Sequence, residues 1–441
     1  MKLLLEPNQK PHARKLLVLL GLIITSAAFG QATITNIPTL GGTAAMATAL
    51  NNLGQVVGVS LIPGDAAEHA FLFSGGVLSD LGTLGGRFGQ ASGINDAGQI
   101  IGEGSIIGDQ EVHGFLINGR TMVDLGTLGG TASSATAINT AGLVAGEAQL
   151  PGNANLHAFL YSGGSLKDLG TLGGSFSSPV GLNRLGQVTG NSTTPGDAAQ
   201  HGFLFSGNIM YDLGTLGGAS SSASAINDAG QVVGQSDTTN FQTHAFILNN
   251  GVLLDLGTLG GTYSTAYAIN RSGQVIGDAS TAADAQYHAF FSQNGTMLDL
   301  GTLGGDFSSA AAINNLGQVV GNSDDPSLAS LPFLWQNGVM VDLNSLLPPN
   351  SGWHLDLASF INDAGQIVGA GSFNGNSTWY LLSPSTANRP PSADAGANQI
   401  VECGTGVVLD GGKSSDPDHD PLTFEWREGQ TVLGHTAVLS V

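Results

Sequence analysis

The chain has 441 residues and a formal net charge of −21, from 12 Lys and Arg against 33 Asp and Glu. So acidic a surface repels phosphate backbones and anionic lipid, which excludes nucleic acid and anionic membrane surfaces as partners. Charged residues are only 10% of the chain, against about 25% in ordinary globular proteins. Gly accounts for 67 positions, and 41% of the residues are hydrophobic, enough for a substantial core and therefore not the composition of a disordered chain.

Lys10, Arg14 and Lys15 precede an apolar run from Leu16 to Ala28. This charge order and length predict a secretory signal peptide over residues 1–30, cleaved near Ala28-Phe29-Gly30, with a retained anchor as the alternative. No later stretch approaches the roughly 18 apolar residues a spanning helix needs. Removing residues 1–30 leaves eight basic and 32 acidic residues, a net charge of −24. The one cysteine, Cys403, has no partner within the chain, so the fold stands without disulfides.

From Asp80 onward the block Asp-Leu-Gly-Thr-Leu-Gly-Gly recurs, beginning at Asp80, Asp124, Asp168, Asp212, Asp255 and Asp299, at intervals of 44, 44, 44, 43 and 44 residues. A shortened copy, Pro38 to Gly42, opens the series, and a decayed one, Asp342 to Leu346, closes it. A period of this length marks a repeat architecture in which each unit buries its apolar face against its neighbours. Residues 217–259 illustrate one unit. Small residues, Ser221 to Ile226, lead to the turn signal Asn227-Asp228-Ala229-Gly230, then to the β-branched run Gln231-Val232-Val233-Gly234. A variable polar loop leads to His244-Ala245-Phe246-Ile247-Leu248. A hairpin signal at Asn249-Asn250-Gly251 precedes a fourth strand, Val252 to Leu256.

Four short antiparallel strands in about 44 residues describe a β-propeller blade. The turn motif occurs at Asn51, Asn95, Asn139, Asn183, Asn227, Asn270, Asn314 and Asn362, which predicts an all-β propeller of eight four-stranded blades over residues 31–383. Seven blades or a β-solenoid are the alternatives. The last unit stops after Trp379-Tyr380-Leu381-Leu382 without a fourth strand, whereas an extra strand, Thr33 to Ile37, precedes the first unit. Pairing the two ends in one blade would close the ring.

The tripeptides His-Ala-Phe at 69–71, 157–159, 244–246 and 288–290, and His-Gly-Phe at 113–115 and 201–203, together with the Asp-Leu-Gly-Thr-Leu-Gly-Gly block, resemble the bacterial extracellular HAF repeat. That resemblance covers roughly residues 33–383. It implies export and an extracellular role, and supplies no activity or site residues.

Residues 384–391 read as a polar, proline-bearing linker. Beyond it, Val407 to Gly411, Ser414 to Pro421 and Leu422 to Trp426 resemble the first half of a PKD-type immunoglobulin-like domain over residues 392–441, with Trp426 as its core tryptophan. A complete sandwich of this kind takes roughly 100 residues, so the expectation is a truncated module.

Candidate chemistry is dominated by symmetry. The six histidines, His69 to His288, and the aspartates, Asp80 to Asp342, recur once per unit, so each is expected to bond within its own or the adjacent blade. One metal needs nitrogens at about 2 Å, a condition equivalent positions on successive blades do not meet. No unique carboxylate pair, nucleophile triad or phosphate loop stands out. Function is expected where symmetry is broken, above all in the loops between second and third strands. Phe88, Phe176, Tyr263 and Phe307 follow the Gly-Gly crossovers and offer rings for stacking on sugars, with filling between blades as the alternative. Asp416, Asp418 and Asp420 put three carboxylates at alternate positions in one loop and form a candidate calcium site. The sequence thus predicts a secreted or cell-surface, non-enzymatic binding or adhesion module whose ligand is a glycan or a surface protein. A polysaccharide-active enzyme and a structural array are the alternatives.

Overall fold

The computed structural model describes residues 20–26, 32–384, 392–396, 406–415, 422–428 and 431–440. Two compact units divide it: 34–345 with 350–383, and the remaining chain.

The first unit is an eight-bladed β-propeller. In chain order the blades span 45–82, 85–124, 133–168, 177–212, 217–257, 260–299, 308–342 and 353–383. Blade 5 is representative, with strands Gly217–Ile226, Val232–Thr238, Thr243–Asn249 and Val252–Gly257 in an antiparallel meander. Blade 8 contributes only Trp353–Ile361, Ile367–Phe373 and Asn376–Ser383, and its fourth strand is Thr33–Ile37 from the N-terminal side. Thr378 Oγ1 donates to Asn36 Oδ1 at 2.7 Å across this seam. Ile37, Phe71, Phe73, Val368 and Leu381 pack into one buried cluster that joins blade 8 to blade 1. The expected closure and the count of eight both hold.

Each tripeptide phenylalanine anchors its blade. Phe71, Phe115, Phe159, Phe203, Phe246, Phe290 and Phe333 are wholly buried, and Tyr380 replaces them in blade 8. Full burial of one such ring contributes about 1.5–3 kcal/mol. The ring explains the glycine of the second strand. Gly58 lies opposite both Ala47 and Phe71. A Cβ there would collide with the Met46 carbonyl oxygen and lie 2.8 Å from the Phe71 ring. The first strand is bulged at this level, between Ala47 and Ala49, which brings its carbonyl inward.

At the inner edge of each blade the turn asparagine is buried. In blade 1, Asn51 Oδ1 accepts from the backbone N–H of Leu53 and of Gln55, an Asx-turn. Its Nδ2 donates to Gln55 Oε1 and to the backbone carbonyl of Asn95 in the next blade. The same inter-blade bond runs from Asn95 to Asn139, Asn183, Asn227, Asn270, Asn314 and Asn362 at 2.9–3.1 Å. Asn362 then returns to Asn51 at 3.0 Å.

In the second unit, Leu409 and Trp426 are buried among Ala395, Val407, Leu433 and Leu439. Trp426 Nε1 donates to the Thr436 carbonyl at 2.9 Å. Leu20–Ser26, part of the run read as a signal sequence, pairs antiparallel with Leu422–Glu428. A sheet edge offers unpaired backbone groups, which an extended segment can fill. The linker, apart from Pro384, and the cleavage site at Ala28-Phe29-Gly30 lie outside the described residues. Among the described residues no helix is long and apolar enough to cross a membrane.

Candidate functional site

The repeated histidines and aspartates satisfy one another. Each His is the second residue of the third strand and each Asp lies at or near the end of the adjacent fourth, so the hairpin register brings them together. Nδ1 of His69, His113, His157, His201, His244 and His288 lies 2.8–3.0 Å from the carboxylate 11 residues later, at Asp80, Asp124, Asp168, Asp212, Asp255 and Asp299. The same carboxylates accept the backbone N–H two residues on, at Gly82, Gly126, Gly170, Gly214, Gly257 and Gly301, at 2.7–2.8 Å. One Asp thus pins the imidazole and starts the crossover turn. Nε2 of His244 and of His288 is buried with no bonding partner, and that of His113 stands 3.4 Å from Glu111 without hydrogen-bond alignment. These pairs are blade fasteners, one per unit, and no three metal-capable side chains come together among the described residues.

The loops between second and third strands are more uniform than their sequences suggest. Asp65, Asp197 and Asp284 take left-handed backbone conformations and accept both the backbone N–H and the hydroxyl of Thr43, Ser175 and Thr262 on the crossover strand. Asp109 accepts the Arg87 N–H and the Ser105 hydroxyl. Hydrogen bonds from Ser105, Thr193 and Ser280 hold the carboxyls of Asp109, Asp197 and Asp284 below the usual carboxylate range, with backbone donors adding to the effect. The expected home of irregular function is largely a set of clamps.

Phe88, Phe176, Tyr263 and Phe307 stand at the crossover ends of blades 2, 4, 6 and 7. Backbone bridges tie each to the start of the third strand in the preceding blade, at Glu68, Leu156, Thr243 and Tyr287. The first three are partly buried, which fits filling between blades, and Phe307 is 40% exposed. The four do not converge. The last two, however, belong to a group that sequence reasoning missed. Tyr287, 42% exposed, lies with its ring centroid 6.0 Å from that of Tyr263 and is bridged through its backbone to Phe307. Gln286 Nε2 donates to Asp306 Oδ1 at 2.8 Å immediately beside this group. Tyr263 and Tyr287 therefore form a ring pair, with Phe307 joined to Tyr287 through the backbone and a polar pair beside them. The signal was present: Tyr287 stands where other blades carry Glu68, Val112, Leu156, Gln200 or Thr243.

Blade 6 breaks symmetry once more, toward the axis. Asp278 is buried and accepts from Ser309 Oγ at 2.7 Å, from the Ala310 N–H at 3.1 Å and from Tyr267 OH at 3.0 Å. Burial pushes its carboxyl up, against these hydrogen bonds. Burial and the Asp278 charge also push up the Tyr267 and Tyr263 hydroxyls. In blades 4 and 7 the equivalent Asn191 and Asn322 use their amides to hold the next blade, accepting from Ala223 and Ala358 N–H. Asp278 is the charged version of that staple. The calcium candidates Asp416, Asp418 and Asp420 lie outside the described residues.

No protein-family model matches this chain, and no curated protein matches it. Among solved structures it is similar to the β-propeller domain of the trilobed protease from Pyrococcus furiosus, at 9% identity and TM-score 0.43, over 65% of this chain and 90% of that one. It is also similar to prolyl endopeptidases, at 10% identity and TM-score 0.48, over 79% of this chain and 55% of that one. A third similarity is to TolB from Acinetobacter baumannii, at 12% identity and TM-score 0.34, over 75% of this chain and 80% of that one. At these identities the likeness is one of fold alone.

Proposed function

We propose that this chain is an exported, HAF-repeat-like protein that binds an extracellular glycan without processing it, and that residues 392–441 are part of a PKD-type accessory module. The reading of export rests on the basic residues Lys10, Arg14 and Lys15 ahead of the apolar run, and on the resemblance of the repeats. The single observation that carries the binding reading is the Tyr263–Tyr287 ring pair with Phe307 joined to it. Partly exposed rings give flat apolar faces for the C–H-rich faces of sugars, while Tyr hydroxyls and the Gln286–Asp306 pair supply hydrogen bonds. A neutral glycan suits a protein of net charge −21 better than an anionic one. The repeated acids and histidines, by contrast, are consumed in holding blades together.

Affinity electrophoresis against soluble neutral polysaccharides (hydroxyethylcellulose, xylan and galactomannan), with a reducing-end assay on the same set, tests this. Retardation by at least one polymer without release of reducing ends is expected. Hydrolysis abolished by replacing a single acid would overturn the non-enzymatic reading, and migration unaffected by a broad glycan set would overturn glycan binding.

A further inference from the structure

The face opposite the crossovers carries a second, unrelated symmetry break. There six of the ring asparagines, Asn51, Asn183, Asn227, Asn270, Asn314 and Asn362, line a cavity of about 380 Å³ together with Leu and Ile side chains of the first strands. The residues after the ring asparagines are Asn52, Asp96, Thr140, Arg184, Asp228, Arg271, Asn315 and Asp363, from blades 1 to 8; all but Thr140 and Arg184 line the cavity, and Arg184 stands beside it against Asp228. Between residues 32 and 384 the chain has five Lys or Arg, and two of them are in this set.

Neighbours in this set brace one another. Asn52 donates through its backbone N–H and its Nδ2 to Asp96, and Asn315 does the same to Asp363. Arg184 N–H donates to Asp228 Oδ1, and Arg271 N–H to Asn315 Oδ1. Both guanidiniums lean on Asp228, with Nε 4.0 Å and 3.7 Å from its Oδ2. They remain 68% and 63% exposed, and among the described residues neither guanidinium donates a hydrogen bond to a protein atom. One carboxylate therefore orients two forks without using their outer N–H groups.

Blade order fixes where the charges fall. With eight blades, blade 4 faces blade 8 across the axis, and blade 6 faces blade 2. Arg184 thus stands opposite Asp363, and Arg271 opposite Asp96. The mouth has a cationic sector, Arg184–Asp228–Arg271, and an anionic sector, Asp363–Asn52–Asp96, on opposite sides of the cavity.

We propose that this mouth binds a zwitterion of the short-peptide class, its carboxylate on the Arg184 and Arg271 guanidiniums and its ammonium between Asp96 and Asp363. Planar guanidinium forks suit a carboxylate, and an ammonium finds two carboxylates already held in place by Asn52 and Asn315. The small side chains between the two ends meet the Ile94, Ile269 and Ile361 side chains within an otherwise polar lining. A purely anionic or purely cationic ligand would leave one sector opposed by like charge or unpaired.

Isothermal titration of the whole chain with alanine peptides of one to four residues tests the assignment, alongside their N-acetylated and C-amidated forms. The expected result is binding by at least one free peptide. Blocking either end should weaken it tenfold or more, and raising salt should weaken it further. Arg271→Gln should lose the dependence on the free carboxylate and Asp96→Asn the dependence on the free ammonium, both at unchanged melting temperature. Equal binding of free and blocked peptides, or no heat from any free peptide, would overturn the proposal. Because these residues lie on the face away from Tyr287, loss of peptide binding with glycan binding intact separates the two sites.

Discussion

Asn362 Nδ2 donates to the backbone carbonyl of Asn51 at 3.0 Å, across a sequence separation of 311 residues. Seven bonds of the same kind join neighbours only 43 to 48 residues apart. The long-range bond is therefore the last member of a closed cycle. The blade that makes it, blade 8, is completed at its outer edge by Thr33–Ile37. Deleting residues 33–40 should lower the melting temperature by several degrees and shift the protein toward larger species in size-exclusion chromatography, since the edge of Asn376–Ser383 would be left unpaired. Unchanged melting and a monodisperse profile would mean that the ring closes without that strand.

Blade 3 lacks one bond the others have. Asn Nδ2 donates to a Gln Oε1 four residues on in seven blades. In blade 3 that position is Leu143, so Asn139 Nδ2 keeps only its bond to the Asn183 carbonyl, while Oδ1 still accepts from the Ala141 and Leu143 N–H groups. Leu143→Gln should restore the contact and stabilise the propeller by about 1 kcal/mol in denaturant titration. No gain, or a loss, would show that Leu143 packing is worth more than the missing bond.

Asp278 makes stability depend on pH in a definite direction. Its carboxyl is pushed up in the folded state, so the native protein binds that proton more tightly than the unfolded chain. Its contribution is therefore most favourable below the ordinary carboxylate pKa near 3.8 and is lost as pH rises through the higher folded value. Asp278→Asn removes the charge, and Asn191 and Asn322 demonstrate that an amide fits the equivalent position. The variant should melt about 2 °C higher than the parent at pH 8, and the difference should shrink toward pH 4. A difference independent of pH would mean that charge burial is not what distinguishes the two.

The regularity that made the fold legible hid part of the site. The 44-residue spacing, the eight turn asparagines and the complementary chain ends sufficed for blade count and closure, because each answers to backbone geometry repeated many times. The His and Asp roles were legible for the same reason: a residue present in every blade serves the blade. Asp65, Asp197 and Asp284 were obscured because they lie in loops of differing sequence, and only their left-handed turns reveal one common clamp. Tyr287 and Asp278 were missed because what matters there lies elsewhere in the chain. Tyr287 acquires meaning from Tyr263 in its own blade and from Phe307 in the next, and Asp278 from Ser309 and Ala310 in the next, contacts between distant positions that no local pattern encodes. The charges at the mouth likewise become opposed pairs only once eight blades close.

The most direct measurement of the functional account compares the parent chain with Tyr287→Ala and with Phe88→Ala. The probe is whichever neutral polysaccharide retards the parent in affinity electrophoresis, and melting temperatures are followed in parallel. Tyr287 is exposed and pairs its ring with Tyr263, whereas Phe88 is a partly buried filler at another blade junction. The account predicts at least a tenfold loss of affinity for Tyr287→Ala at unchanged melting temperature, the behaviour of an aromatic contact residue. It predicts the reverse for Phe88→Ala, with lowered melting and retained affinity. Retained affinity in Tyr287→Ala, or equal losses in the two variants that follow their melting temperatures, would contradict it.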